Sequence, residues 1–258
     1  MSELARVTTK VREAAQWRGL ITSAAAWCTA SVIGRVGGEH ISQVATRRFS
    51  ESAMRRLGID LVAEGVHKVA PAAPCVIVAN HLSQLDIPVL GALLSDVEYR
   101  WVFKRELFRV PFVGWHLWAA GHIAVDRARG GNLTRMNAQI DEVFARGMSV
   151  MFFPEGTRSA DGALARFRAG AFIAAVRAGV PVLPIVMDGT ERLLKKGSMA
   201  LPSGRNTVRV AVLDPVAPPP GNEPEARVAA LSADVRQRMC AALDALRGSP
   251  GAAERPTI

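Results

Sequence analysis

From residue 59 onward, short apolar runs rich in β-branched residues alternate with stretches of helical periodicity. The runs fall at 59–64, 75–79, 99–104, 122–125, 149–153, 182–187 and 207–213, and the helical stretches near 87–94, 132–146 and 169–178. This alternation constrains the fold more than any other feature. It calls for an α/β chain, a mostly parallel sheet flanked by helices, because parallel neighbours are joined by crossovers that are usually helical. Gly147 and Gly179 stand at the stop positions of two of these helices. A chain of 258 residues, 49% of them apolar, is enough for one large domain of this class with an appended element. A Pro-rich connector at 215–224 leads to a last amphipathic helix at 226–246. The chain thus divides into an N-terminal helical segment (residues 1–58), an α/β domain (residues 59–246) and a flexible tail (residues 247–258).

Residues 1–58 read as a two-helix hairpin. Leu4, Val7, Val11 and Ala14 recur at helical spacing, Gly37-Gly38 breaks the chain, and Ile41, Val44, Phe49, Ala53 and Leu57 resume the stripe until Gly58. Residues 20–34 carry no charge, but fifteen residues fall short of the ~20 that a spanning helix needs. Nine Lys and Arg against four Glu in residues 1–56 supply over half of the net charge of +9. A basic, amphipathic hairpin with Trp17 and Trp27 suits the surface of an anionic bilayer, peripheral or monotopic, on the cytoplasmic face. The alternative is a helical cap whose apolar stripe packs on the sheet. Nucleic acid is a poor partner: there is no aromatic-rich binding motif, and the basic residues interleave with the apolar stripe. Cys28, Cys75 and Cys240 match no metal spacing and fit a reducing compartment, and no cleavable secretory leader is expected.

The run 75–79 leads straight into Asn80-His81-Leu82-Ser83-Gln84-Leu85-Asp86. His81 therefore sits where a strand ends, at the rim where open α/β sheets bind ligands. A carboxylate five residues on is suited to receive one ring N–H, leaving the other nitrogen to accept a proton. Asp86 also reads as an N-cap for the helix that Pro88 begins.

A second constellation, Phe152-Phe153-Pro154-Glu155-Gly156-Thr157-Arg158-Ser159, also follows a strand. Its turn presents an anion and a cation at the same rim, and Arg158 offers a fork that matches phosphate oxygens. A Glu155–Arg158 surface ion pair is the plainer alternative. Downstream, Phe167-Arg168-Ala169-Gly170 opens a helix, whose N-terminus beside Arg168 suits a phosphate. Lys104 and Arg127 lie near strand ends; Lys104 adds charge there or is solvated, and Arg127 pairs with Asp126 or another local carboxylate. His116 and His122 read as structural histidines.

In order and spacing these blocks resemble the glycerolipid acyltransferases, most closely the 1-acylglycerol-3-phosphate acyltransferases. The resemblance covers about residues 59–213. It rests on Asn80-His81-x4-Asp86, on Lys104-x-Glu106-Leu107 with Gly121…Asp126-Arg127, on Phe153 to Ser159, and on Val180-Pro181-Val182-Leu183-Pro184-Ile185. It implies an α/β acyltransferase fold, an acyl thioester donor (acyl-CoA or acyl-ACP) and a lysophosphatidic-acid-like acceptor at a membrane surface. It also implies His81 and Asp86 as catalytic residues, with Lys104, Glu155, Gly156, Thr157, Arg158 and Arg168 toward the substrate. Glu155 would hold an acceptor hydroxyl or orient Arg158. No metal and no resident cofactor are expected, since no ligand cluster is visible and the acceptor brings its own nucleophilic hydroxyl. One departure is Arg168, where many relatives have Lys: charge is kept and shape is not. Other readings are transfer to glycerol 3-phosphate or another lysolipid, a thioesterase, or a non-catalytic membrane-bound acyl- or lipid-binding protein. A binder has no need of the His81/Asp86 pair.

Overall fold

The computed structural model describes residues 3–34, 40–72, 74–126, 133–159, 161–195, 197–198, 200–201 and 204–248. Among these, the strands are β1 (Ile59–Glu64), β2 (Val76–Ala79), β3 (Tyr99–Lys104), β4 (Ile123–Val125), β5 (Ser149–Phe152), β6 (Val182–Asp188) and β7 (Asn206–Val212). The helices are α1 (Glu3–Gly34), α2 (His40–Leu57), α3 (Asp86–Leu93), α4 (Val113–Ala119), α5 (Leu133–Ala145), α6 (Gly170–Ala178), α7 (Thr190–Leu193) and α8 (Pro224–Gly248). The strands form one sheet in the order β1-β7-β6-β2-β5-β3-β4. All neighbours are parallel except β6 and β7, so β1 and β7 run against the other five. The α/β class with a mostly parallel sheet is thus the one expected.

The central strand explains why its sequence is apolar throughout. Successive side chains of a strand point to opposite faces. Val76 and Val78 enter one core with Val150, Phe152 and Val186, closed by α5, α6 and α8. Cys75, Ile77 and Ala79 enter the other with Met151, Leu183 and Met187, closed by α2 and α3. A strand covered on both faces has no solvent side to mark with polar residues. Each large side chain buried this way contributes roughly 1.5–3 kcal/mol.

The N-terminal helices sit on the second core. Trp17, Leu20 and Met54 pack against it. Gly91 makes the approach possible: a Cβ there would lie 2.3 Å from the Ser50 hydroxyl of α2. The two helices are joined through Ser31 Oγ to Ser42 Oγ at 2.8 Å and Ser23 Oγ to Ser52 Oγ at 3.1 Å. Packing on the sheet therefore takes one stripe of the hairpin. Ile21, Ile33, Ile41 and Val44 lie outside that stripe, exposed. No described helix is long and apolar enough to cross a membrane. The expected break at Gly37-Gly38 lies outside the described residues.

Several boundaries differ from expectation. Helix α4, the 3₁₀ turn Arg105–Arg109 and α7 carried no periodic signal, because each is too short to show one. The connector 215–224 is tied to the sheet by a bridge between Val216 and Val182. The tail was expected to start at residue 247, yet Arg247 and Gly248 continue α8. The reason is a set of contacts that sequence does not display: Arg247 donates to Asp188 Oδ1 at 3.0 Å and to the Gly162 carbonyl at 2.8 Å. The remainder, 249–258, lies outside the described residues.

His116 and His122 are structural, as expected. The His116 ring lies between Ser31 Oγ at 2.9 Å and Thr46 Oγ1 at 3.2 Å, and so joins α4 to both helices of the hairpin. His122 Nδ1 accepts the Trp101 N–H at 3.1 Å. Burial holds His116 at a pKa of about 4, below its ordinary 6.5, and pushes His122 down as well. The folded chain keeps these rings neutral, whereas the unfolded chain takes up protons below about pH 6.5. The His116 contribution to stability is therefore complete above pH 6.5 and lost as pH falls towards 4. Melting temperatures measured across this window should fall with pH, and fall less steeply in His116→Gln.

Candidate active site

Strand β2 ends at Ala79, and the next residue fixes the rim. Asn80 is fully buried and bonds both backbone groups of Met187 in β6, donating to its carbonyl at 2.8 Å and accepting its N–H at 2.8 Å. An amide side chain is the group that satisfies a backbone donor and acceptor together. His81 is thus held at the C-terminal edge of the parallel strands.

The Asp86 carboxylate is fully buried and surrounded by donors. Oδ2 lies 2.7 Å from His81 Nδ1 and accepts the N–H groups of Leu82 at 2.7 Å and Ser83 at 2.9 Å. Oδ1 accepts the Thr190 hydroxyl at 2.5 Å. An ionised carboxylate only accepts, so His81 Nδ1 must carry a proton, and Nε2 is left with a lone pair. Among the described residues Nε2 has no hydrogen-bond partner, and the side chain is 18% exposed. Asp86 is the first residue of α3, but its oxygens bond the turn before the helix, and the N-cap, Leu85, makes no side-chain cap. Capping is therefore not what Asp86 does.

The turn after β5 grips His81 from the other side. Phe153 stacks on the imidazole with ring centroids 4.0 Å apart and planes 11° from parallel. Glu155 Oε1 accepts the His81 N–H at 2.8 Å, and the Ser159 N–H donates to the His81 carbonyl at 2.8 Å. Glu155 Oε2 accepts the Ala165 N–H at 2.9 Å. With 4% exposure and both oxygens on backbone N–H groups, Glu155 braces the loop against His81. This bracing comes beside the two roles expected, to hold an acceptor hydroxyl or to orient Arg158. Burial raises its pKa, and the N–H bonds pull the other way.

The remaining expected residues surround this core at different distances from solvent. Gly156 has φ 73°, which lets the turn reverse at Thr157 and Arg158; Thr157 is exposed and Arg158 half-buried. Arg168 is exposed, and its backbone N–H donates to the Pro154 carbonyl at 2.8 Å, tying the start of α6 to the same turn. Lys104 ends β3, two strands from β2 at the same rim, with Nζ 3.3 Å from Glu106. Both partners are about half exposed. Such a pair is worth about 0–1 kcal/mol and does not hold Lys104 away from an anion. Arg127 lies outside the described residues. Two buried residues were not anticipated, Thr190 and the clamping role of Asn80. Thr190 is 104 positions from Asp86, so spacing carries no trace of their contact.

With the geometry in place, known proteins resemble the chain as follows. A family model described as Acyltransferase matches residues 60–188. The 1-acyl-sn-glycerol-3-phosphate acyltransferase alpha of Ovis aries is 37% identical over 183 residues, 70% of this chain and 62% of that protein. A chloroplastic 1-acyl-sn-glycerol-3-phosphate acyltransferase of Brassica napus is 38% identical over 143 residues, 55% and 41% of the two chains. The 1-acyl-sn-glycerol-3-phosphate acyltransferase of Pseudomonas aeruginosa is 35% identical over 156 residues, 60% and 58%. The chain thus spans 41% to 62% of the length of these relatives. In fold it is similar to the crystal structure of the 1-acyl-sn-glycerophosphate acyltransferase of Thermotoga maritima. The TM-score is 0.78 at 22% identity, covering 95% of this chain and 99% of that one.

Two substitutions test the bracing. Thr190→Val removes the donor to a buried carboxylate oxygen and should cost roughly 1–3 kcal/mol in urea unfolding, while Thr190→Ser restores most of it. Glu155→Gln sets an amide N–H₂ against one backbone N–H. It should lower the melting temperature and speed hydrogen exchange at the His81 amide; unchanged exchange would remove the brace.

Proposed function

Since the chain belongs to the Acyltransferase family, we propose that it moves a fatty acyl group from an acyl thioester to the free hydroxyl of a lysophospholipid. The acceptor is 1-acyl-sn-glycerol 3-phosphate and the product phosphatidic acid. The observation that carries this reading is the His81–Asp86 pair at the sheet rim, with Nδ1 committed to a buried carboxylate and Nε2 left to accept a proton. The names of the relatives support the choice of acceptor.

The residues divide the work as follows. The acceptor hydroxyl approaches Nε2. As its oxygen bonds to the thioester carbonyl carbon, its proton passes to Nε2, and Asp86 stabilises the imidazolium. Collapse of the tetrahedral adduct breaks the C–S bond. The proton moves on to the leaving sulfur, so His81 returns to neutral and the ester and free thiol balance the reaction. No nucleophilic side chain and no resident cofactor take part; acyl-CoA or acyl-ACP is the co-substrate. Arg158, with Lys104 and Arg168, holds the acceptor phosphate, and the Gly156-Thr157 turn lets it approach. The reaction runs at an anionic membrane surface on the cytoplasmic face, where the basic hairpin lies on the bilayer.

A transfer assay on purified protein, with a panel of lysolipids and both donors, tests the whole reading. Turnover should be highest with 1-acyl-sn-glycerol 3-phosphate, and a preference for an acceptor without phosphate would sink it. His81→Ala should lose roughly 10²–10⁴-fold in activity while staying folded. Asp86→Asn should lose much of it as well.

Arg158 separates phosphate binding from loop support. Arg158→Lys keeps the charge and loses the paired geometry, so the loss should fall on the Michaelis constant of the acceptor, with donor use little changed. Arg158→Ala should be worse for phosphate acceptors than for a lysolipid without phosphate. Equal losses on both, with a lower melting temperature, would make Arg158 structural.

A further inference from the structure

Beyond the hairpin, among the described residues, one other surface exposes large apolar side chains together. Between β3 and β4 the chain makes the 3₁₀ turn Arg105–Arg109 and the helix α4. Leu107, Phe108, Val110, Val113, Trp115 and Trp118 are exposed by 37% to 56%. Six large apolar residues within twelve positions are unusual on a free surface and mark a contact with something apolar.

The segment is built to hold that surface in place. Gly114 lets α4 lie directly on the turn: a Cβ there would stand 2.2 Å from the Phe108 carbonyl oxygen. Phe112 adopts φ 62°, a conformation that a side chain other than glycine rarely takes, and its ring meets Trp115 edge-on with centroids 5.0 Å apart. Phe108 is pinned edge-on to Phe103 of β3, centroids 5.0 Å apart. On its inner side α4 is fastened to the hairpin through His116 and Ser31. Ser31 is two residues from Ile33, which is 69% exposed. The patch begins at Arg105, one residue after Lys104 at the rim that carries His81, and its helix α4 lies against α1.

We propose that residues 105–118 are a lipid-contacting patch that seats the rim of the sheet on an anionic bilayer. The occupant follows from charge and side-chain type. Arg105 and Arg109 are exposed within the patch, where they meet anionic head groups. Trp115 and Trp118 carry the amphipathic rings that settle at the interface between head groups and hydrocarbon. The seat brings the bilayer to the level of Nε2, so a lipid acceptor reaches the base without leaving the membrane. The proposal rests on the lipid-acceptor reading above and extends the contact from the hairpin to the site itself.

The test uses the full chain and vesicles of phosphatidylcholine with phosphatidylglycerol, some with brominated acyl chains that quench nearby indoles. The five tryptophans are Trp17, Trp27, Trp101, Trp115 and Trp118. Bound wild type should be quenched, and the double variant W115F/W118F should lose most of that quenching while still co-sedimenting with vesicles. Quenching left undiminished by both replacements would assign the contact to Trp17 and Trp27 alone and overturn the proposal. A second variant, V110E/W115E, should bind vesicles about tenfold or more weakly, since each tenfold is ~1.4 kcal/mol. It should keep its melting temperature, and it should lose transfer to bilayer-borne acceptor more than to a short-chain soluble one. Equal vesicle binding by this variant, or a wild-type dimer that V110E/W115E converts to monomer, would also overturn it. Absence of transfer to any acceptor by the wild type would refute the catalytic reading and leave the quenching result to decide the patch.

Discussion

The site depends on one buried carboxylate. Asp86 has no contact with water, and an ionised oxygen placed there is costly unless donors replace the solvent. Four do: the His81 ring, two backbone N–H groups and the Thr190 hydroxyl. They come from separate parts of the chain. The backbone donors require the chain after β2 to curl tightly before α3 starts. The hydroxyl requires β6 to deliver Thr190 beneath that curl. The imidazole is then held through Nδ1, with Nε2 left without a hydrogen-bond partner among the described residues.

Holding His81 takes as much structure as holding Asp86. Its two backbone groups are bonded to Glu155 and Ser159, and its ring lies on Phe153. The strand that supplies this turn, β5, is the parallel neighbour of β2, and β6 flanks β2 on the other side. The three strands therefore release their loops at one edge, and residues far apart in the chain converge there. An antiparallel neighbour would have sent its loop to the opposite edge.

Farther out, Asp188 does for the support what Asp86 does for the base. It ends β6 with 2% exposure, two residues before Thr190. Burial alone would raise its pKa, but Arg192 at 2.6 Å and Arg247 at 3.0 Å outweigh it and hold the pKa below the ordinary value. Arg247 also reaches the Gly162 carbonyl. The last turn of α8 is thereby linked to the loop that follows the Glu155 turn and to the strand that delivers Thr190. Asp188 is buried while both arginines reach solvent, so the two contacts serve chiefly to satisfy a carboxylate that water does not reach.

The local sequence was enough for the class of fold, the central strands, the hairpin and the His81–Asp86 pair. Each is encoded over a few neighbouring residues, as a run, a periodicity or a short spacing. Length alone hid α4 and α7. The alternatives that remained open were all questions of what faces what. Whether Asp86 caps a helix or holds a ring depends on the direction of its oxygens. Whether Glu155 meets Arg158 or braces the backbone depends on its burial under the loop to Ala165. The roles of Thr190 and Arg247 depend on strand order. A hydrogen bond between residues 104 positions apart leaves no mark on spacing. Only the folded sheet, by bringing β6 beside β2, could decide that Thr190 completes the carboxylate and that the hairpin packs one stripe inward while another stays exposed.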